Sequence, residues 1–221
     1  MTKMRKRIIG VLIYFILVHF TTLFITKLIK TESGGIAEHS TYSVLAQALI
    51  FIVAMYVLIR MLRLDFKYDV TKLLKGKHTK RYTFWLISGF VVALVVQLVV
   101  VNIENHIFGV TGDMETKTKT LEMIQSNFLT VLIPVILVPA FEELVFRRVI
   151  FTALHEKYAF VLASIVSSGI FAIFHGSFVH FTTFFLVGIV LSFVYKKTDN
   201  IIIPMVLHAM LNSIPVILLF I

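Results

Sequence analysis

The stretch TFWLISGFVVALVVQLVVVNI, Thr83–Ile103, runs for 21 residues without one Asp, Glu, Lys or Arg. As a helix rising 1.5 Å per residue it is about 31 Å long, the thickness of a bilayer's hydrocarbon core. Comparable apolar runs lie on both sides of it: Ile8–Thr26, Val44–Leu62, Phe128 to about Leu154, Tyr158–Phe174, Phe178–Tyr195 and Ile201–Ile221. They account for a hydrophobic fraction of 58% across 221 residues and a mean hydropathy of +0.94. Soluble domains average about 45–50% apolar. The expected fold is therefore an all-α polytopic transmembrane bundle of about seven spans, six at the fewest and eight at the most. Glu142, Glu143, Arg147 and Arg148 interrupt the fourth run, which leaves open a break into two helices there.

Charge outside these runs sets their direction. Lys3, Arg5, Lys6 and Arg7 precede the first run with no acid among them, and Arg60–Tyr82 holds eight basic residues against two aspartates. Lys196 and Lys197 mark a third basic turn. The alternate loops, Lys27–Tyr42 and Asn102–Asn127, are balanced or acidic. Loops rich in Lys and Arg stay in the cytoplasm, so the chain is expected in the cell membrane as a multi-pass protein with its N-terminus cytoplasmic. The first run, roughly 19 residues, exceeds the ~7–15 of a cleaved signal's apolar core and reads as an uncleaved anchor. Leu64, Phe66, Val70, Leu73 and Leu74 would form one apolar face of a short helix lying along the inner surface. Residues 1–125 then hold three spans and the basic loop 60–82, and residues 126–221 hold the rest.

The same distribution limits function. A net charge of +9 gathered beside apolar runs orients a membrane protein and leaves no nucleic-acid face. With no cysteine in the chain, disulfide frameworks, thiolate nucleophiles and Cys-ligated zinc are excluded.

Ionisable groups inside the bilayer cost ~2.5–3.5 kcal/mol each and need a partner or a task. They collect in the second half of this chain. Glu143 and Arg147 are four residues apart with the acid first, the favourable order for a helical ion pair. Glu142 projects about 100° away from Glu143 and can face a cavity; Arg148 is expected to snorkel toward headgroups. Phe171 lies one turn below His175, and His208 shares a face with Asn212. His19, alone in the first span, reads as a hydrogen-bonded core residue.

A carboxylate, two imidazoles and an amide converging from three helices suit amide hydrolysis. Carboxylate and imidazole can hold and deprotonate a water, while a second imidazole and an amide N–H can donate to the oxyanion. Glu142, His175 and His208 equally match the three protein ligands of a catalytic Zn2+ with one open position. Both chemistries stay open. Counting residues along straight helices from one plane puts these groups at different heights, so a span must bend or start deeper; Pro134, Pro139, Pro204 and Pro215 are the candidate bends. The site should then lie within the membrane, with cytoplasmic access favoured.

The ordered trio Glu-Glu-x-x-x-Arg (Glu142, Glu143, Arg147), Phe-x-x-x-His (Phe171, His175) and His-x-x-x-Asn (His208, Asn212) resembles the CAAX-protease and bacteriocin-processing family of intramembrane proteases, also called Abi. The match covers roughly Val131–Asn212. The resemblance implies a catalytic core in residues 126–221, with Glu142 as general base and His175 assisting on the attacking water. Glu143 and Arg147 would hold that helix, and His208 and Asn212 would form the oxyanion pocket. The family has been described both as metalloproteases and as metal-independent glutamate proteases, so a zinc cofactor is left open. No His-Glu-x-x-His occurs. Composition and size fit a bacterial member, so prenylated substrates are not expected; a membrane-associated peptide or a segment of another membrane protein is. A non-catalytic immunity or scaffold protein of the same fold is the alternative, and a proton-relay transporter a third reading.

Overall fold

A computed structural model describes residues 3–32, 41–62, 66–110, 121 and 128–218, and every regular element among them is helical. This is what a chain in lipid requires, since helices satisfy every backbone polar group within one segment. The helices are α1 (Lys3–Glu32), α2 (Thr41–Leu62), α3 (Phe66–Leu74), α4 (Thr79–Phe108), α5 (Leu129–His155), α6 (Phe160–Phe174), α7 (Phe181–Thr198) and α8 (Ile202–Ile217). Of these α4, α5 and α7 are long and apolar enough to cross a membrane; Ile8–Thr22, Val44–Arg60, Phe160–Phe174 and Ile202–Ile217 are shorter apolar helical stretches. The chain is thus a membrane helical bundle, and these seven segments match the seven runs read from the sequence. The expected surface helix is α3; Leu64 lies outside the described residues.

Helix α5 does not break at its charges. It opens with a 3-10 turn and then widens into π-helix at Ile133–Leu137, before the α-helical Val138–Glu143. It widens again at Leu144–Phe151 and closes as α-helix at Thr152–His155. Pro139 has no N–H to offer the carbonyl four residues back, and the Val138 N–H reaches five residues back to Ile133. At the end of the second wide segment Thr152 donates its N–H and its hydroxyl to the Arg147 carbonyl. Wide turns of this kind re-aim side chains and recur at functional sites.

Two compact units emerge from the packing. One comprises Met1–Leu64, Met114–Phe141 and Asn212–Ile221. Within it Phe141, fully buried, stacks on Phe15 at 5.5 Å and meets Phe51 edge-on at 6.0 Å. Tyr14 donates to the Ala54 carbonyl. His19 bonds the Phe15 carbonyl at 3.2 Å, the core role expected of it. Ile13, Leu17, Phe20 and Phe24 form an exposed stripe on α1, as a lipid-facing helix should.

The other unit comprises Asp65–Asp113 and Glu142–Leu211. Its core joins Tyr82 and Ala93 of α4 to Val187, Leu191 and Val194 of α7 and to Ile203, Leu207 and Leu211 of α8. Small residues set the spacing. A Cβ on Gly89 would lie 2.5 Å from Val194, and one on Gly188 2.9 Å from the Ser168 Cβ. Helix α3 closes one end of this unit. Asp69, fully buried, accepts from the Ile201 N–H through its carboxylate and from the Asn200 amide through its carbonyl. Burial pushes the Asp69 carboxyl up from its ordinary value, and Arg148 at 3.2 Å opposes that. Arg148 also donates to the Tyr195 hydroxyl at 3.1 Å. The expectation that Arg148 snorkels to headgroups is therefore corrected: a carboxylate and a phenol inside the protein hold it.

Gly188→Ala should destabilise the protein by about 1–3 kcal/mol through overpacking against α6. Ser168→Gly in the same chain should recover part of that loss. Thermal unfolding in detergent measures both.

Candidate active site

The chemistry is built on one carboxylate. Glu143 and Arg147 are fully buried, and the Arg147 Nη1 lies 2.9 Å from the Glu143 Oε1. The same oxygen is 2.9 Å from the His208 Nδ1. An ionised carboxylate only accepts, so this contact selects the tautomer with the proton on Nδ1 and leaves Nε2 as the acceptor of the neutral ring. That Nε2 lies 3.8 Å from the Glu142 Oε2. His208 thus stands between the two carboxylates, each addressed by one ring nitrogen.

Arg147 is fixed from three sides. Besides Glu143, its Nη2 donates to the Gly188 carbonyl at 3.3 Å, and its guanidinium lies over the Phe171 ring at 4.4 Å. Phe171 is the common floor of the cluster. His208 meets it edge-on at 5.7 Å, and His175, one turn along α6, sits 4.3 Å from it. The His175 Nδ1 bonds the Phe171 carbonyl at 2.9 Å, which again places the proton on Nδ1 and the acceptor on Nε2. On its far side the imidazole stacks at 4.0 Å on Phe184 of α7. One ligand atom from each of Glu142, His175 and His208 lies within 4.8 Å of the other two.

Five of the residues singled out in the sequence therefore come together: Glu142, Glu143, Arg147, His175 and His208. Asn212 belongs to the other compact unit, where its amide donates to the Pro134 carbonyl at 3.0 Å. Groups that stand at different heights when counted along straight helices thus meet within 4.8 Å. Ile201, immediately before α8, is fully buried and donates its N–H to the Asp69 carboxylate.

The sequence reading passes over three supports. Glu104, counted there with the loop Asn102–Asn127, lies in α4, which continues to Phe108. It is buried and caps the start of α7, accepting from the Thr183 N–H at 3.1 Å and hydroxyl at 2.6 Å, with His180 at 3.4 Å. Gly188 and Phe184 also go unnoticed, because a carbonyl and a ring carry no motif. The one available signal is a lone acid directly after the uncharged run Thr83–Ile103.

Removing one partner of a buried ion pair leaves an uncompensated charge, at about 3–5 kcal/mol. Arg147→Ala should therefore lower the unfolding temperature sharply. Glu142→Gln, which keeps shape and leaves the Glu143–Arg147 pair intact, should change it little. Parallel melts of the two variants in one detergent decide this.

Comparison with known proteins finds similarity over the stretch that holds the cluster. Residues 124–214 match the family described as type II CAAX prenyl endopeptidase, Rce1-like. A Bacillus subtilis protein that carries the name membrane peptidase YdiL is 36% identical over 134 residues; the alignment covers 61% of this chain and 55% of that protein. The membrane-embedded CAAX protease MroQ of Staphylococcus aureus is 28% identical over 224 residues, covering 98% of this chain and 90% of its own length. No solved structure gives a significant match. All five clustered residues and Asn212 fall inside the stretch, residues 124–214, that is similar to the Rce1-like CAAX prenyl endopeptidase family.

Proposed function

We propose that the protein is an intramembrane endopeptidase that hydrolyses a peptide bond in a membrane-attached peptide or protein. The observation that carries this reading is the spacing of Glu142, His175 and His208, whose ligand atoms lie within 4.8 Å of one another. Two groups hydrogen-bonded to one water at about 2.8 Å each, at a tetrahedral angle, stand about 4.5 Å apart. Two donors on one zinc at about 2.1 Å stand about 3.4 Å apart. One edge of the triangle is 3.8 Å and none exceeds 4.8 Å, so it admits a shared water.

In this reading the Glu142 carboxylate takes a proton from that water while the His175 Nε2 accepts its second hydrogen and aims the oxygen. The hydroxide adds to the scissile carbonyl carbon, and the proton on Glu142 then passes to the departing amine. Water is thereby added across the C–N bond with nothing left over. Donation to the oxyanion by His208 would require a proton on Nε2 as well as on Nδ1. Arg147 balances Glu143. Asn212 is the remaining candidate donor from the family resemblance.

The donor set itself supports a second reading. Two imidazoles with protonated Nδ1 atoms and a carboxylate are ligands of catalytic zinc, and Glu143 behind His208 is the outer carboxylate such ligands use. Glu142, His175 and His208 would hold the ion. When bound, zinc would lower the pKa of a coordinated water.

Purified enzyme in liposomes with a membrane-anchored peptide tests both. Glu142→Gln and His175→Ala should each cut the cleavage rate by at least about 100-fold, the scale of a general-base or electrostatic contribution, with normal insertion. Wild-type rates in either variant would remove the catalytic assignment of that residue, and no cleavage by the unaltered protein would favour a non-catalytic role for the fold. Full activity after a strong chelator, with no zinc by elemental analysis, should distinguish the shared water from the metal.

A further inference from the structure

The unit that holds Glu142, His175 and His208 has two unlike ends. At one, α3 and the turns around it carry exposed Lys67, Lys75, Lys77, Lys80, Arg81, Lys196 and Lys197. This end is closed. Asp69, Thr198, Asn200 and Ile201 are each 0% exposed and tied together by hydrogen bonds. Arg148 and Tyr195 fill the space toward α5.

At the other end the chain turns from α6 into α7 through residues 175–180. Gly176, at φ +66, is exposed, and Phe178 is 83% exposed beside Phe108. His175 sits at this turn. It lies about 22 Å along α6 from Phe160, and its stacking partner Phe184 is about 21 Å along α7 from Thr198. Of the three clustered groups Glu142 is 7% and His208 3% exposed, while His175 alone is only half-buried. Both measures put the accessible edge of the cluster at the end away from the lysines.

We propose that the site is reached from the membrane face opposite the lysine-rich end. Loops rich in Lys and Arg remain cytoplasmic, so this face is extracytoplasmic. The access favoured from sequence is thereby reversed. The substrate is then a membrane-attached peptide whose scissile segment enters from the outer side. That last step rests on the proteolytic reading; the direction of access does not.

The chain has no cysteine, which allows a test without cleavage. Single variants Phe178→Cys, Lys77→Cys and His175→Cys are treated with a small, charged, membrane-impermeant methanethiosulfonate on intact spheroplasts and on inside-out vesicles. Phe184→Cys reports on the same edge should His175→Cys fail to accumulate. Phe178→Cys and the site cysteine should each gain the mass of one adduct on spheroplasts, and Lys77→Cys only on inside-out vesicles. Modification of Lys77→Cys on spheroplasts overturns the orientation. A site cysteine that reacts only from the vesicle side, or from neither side, overturns the route. Two single-span reporters, with the test segment at the outer or the inner end, then address the substrate. Cleavage of the outer one alone is expected. If neither is cut while labelling follows expectation, the proteolytic reading fails and the access stands.

Discussion

One oxygen of Glu143 is where the rest of the site begins. It faces the Arg147 guanidinium and the His208 ring at 2.9 Å each, with no exposure of its own. Three helical segments meet through it, because Arg147 also holds the Gly188 carbonyl of α7 and His208 comes from α8. A charge this deep persists only with close partners, so the carboxylate dictates where arginine and imidazole stand. It also decides what the imidazole can do. By claiming the Nδ1 proton, Glu143 turns the other ring nitrogen toward Glu142, and the adjacent acids acquire opposite tasks. One is paired with Arg147, the other faces His208.

Apolar matter around the cluster gives these contacts their direction. Phe171 receives Arg147 on its face and both imidazoles around it, and its own carbonyl fixes the His175 tautomer. The first residue of the Phe-x-x-x-His pattern is thus a surface on which charged and polar groups are arranged. The wide turns of α5 serve the same end. Leu144–Phe151 carries Arg147 to Glu143 and the next residue, Arg148, to Asp69 and Tyr195.

Much of this was legible beforehand, and the reasons are physical. The spans could be read because a bilayer demands about 20 apolar residues at a stretch, and Thr83–Ile103 meets that without a charge. The Glu143–Arg147 pair could be read because helical spacing fixes it. Meetings between distant segments could not. Nothing around Glu104 announces Thr183, 79 residues on, and nothing near Asp69 announces Ile201, 132 residues on. Arg148 was misjudged for the same reason: a flexible cation near a helix end looks identical whether its partner is a headgroup or a carboxylate from another helix. Pro139 was recognised as a disturbance, but periodicity alone does not say whether a helix will bend or widen around it.

The cap that Glu104 provides also bears on how such a chain is assembled. This acid leaves the ribosome long before the α7 N-terminus whose amide and hydroxyl it will accept. Until then an unpartnered carboxylate is at home in water, which favours keeping the end of α4 at the membrane surface while α5 and α6 are inserted. Arrival of α7 supplies the donors, lets the acid be buried and ties both helices to one depth. The later helices therefore complete the earlier ones, and Glu142, His175 and His208 come together only once α8 has joined α5 and α6.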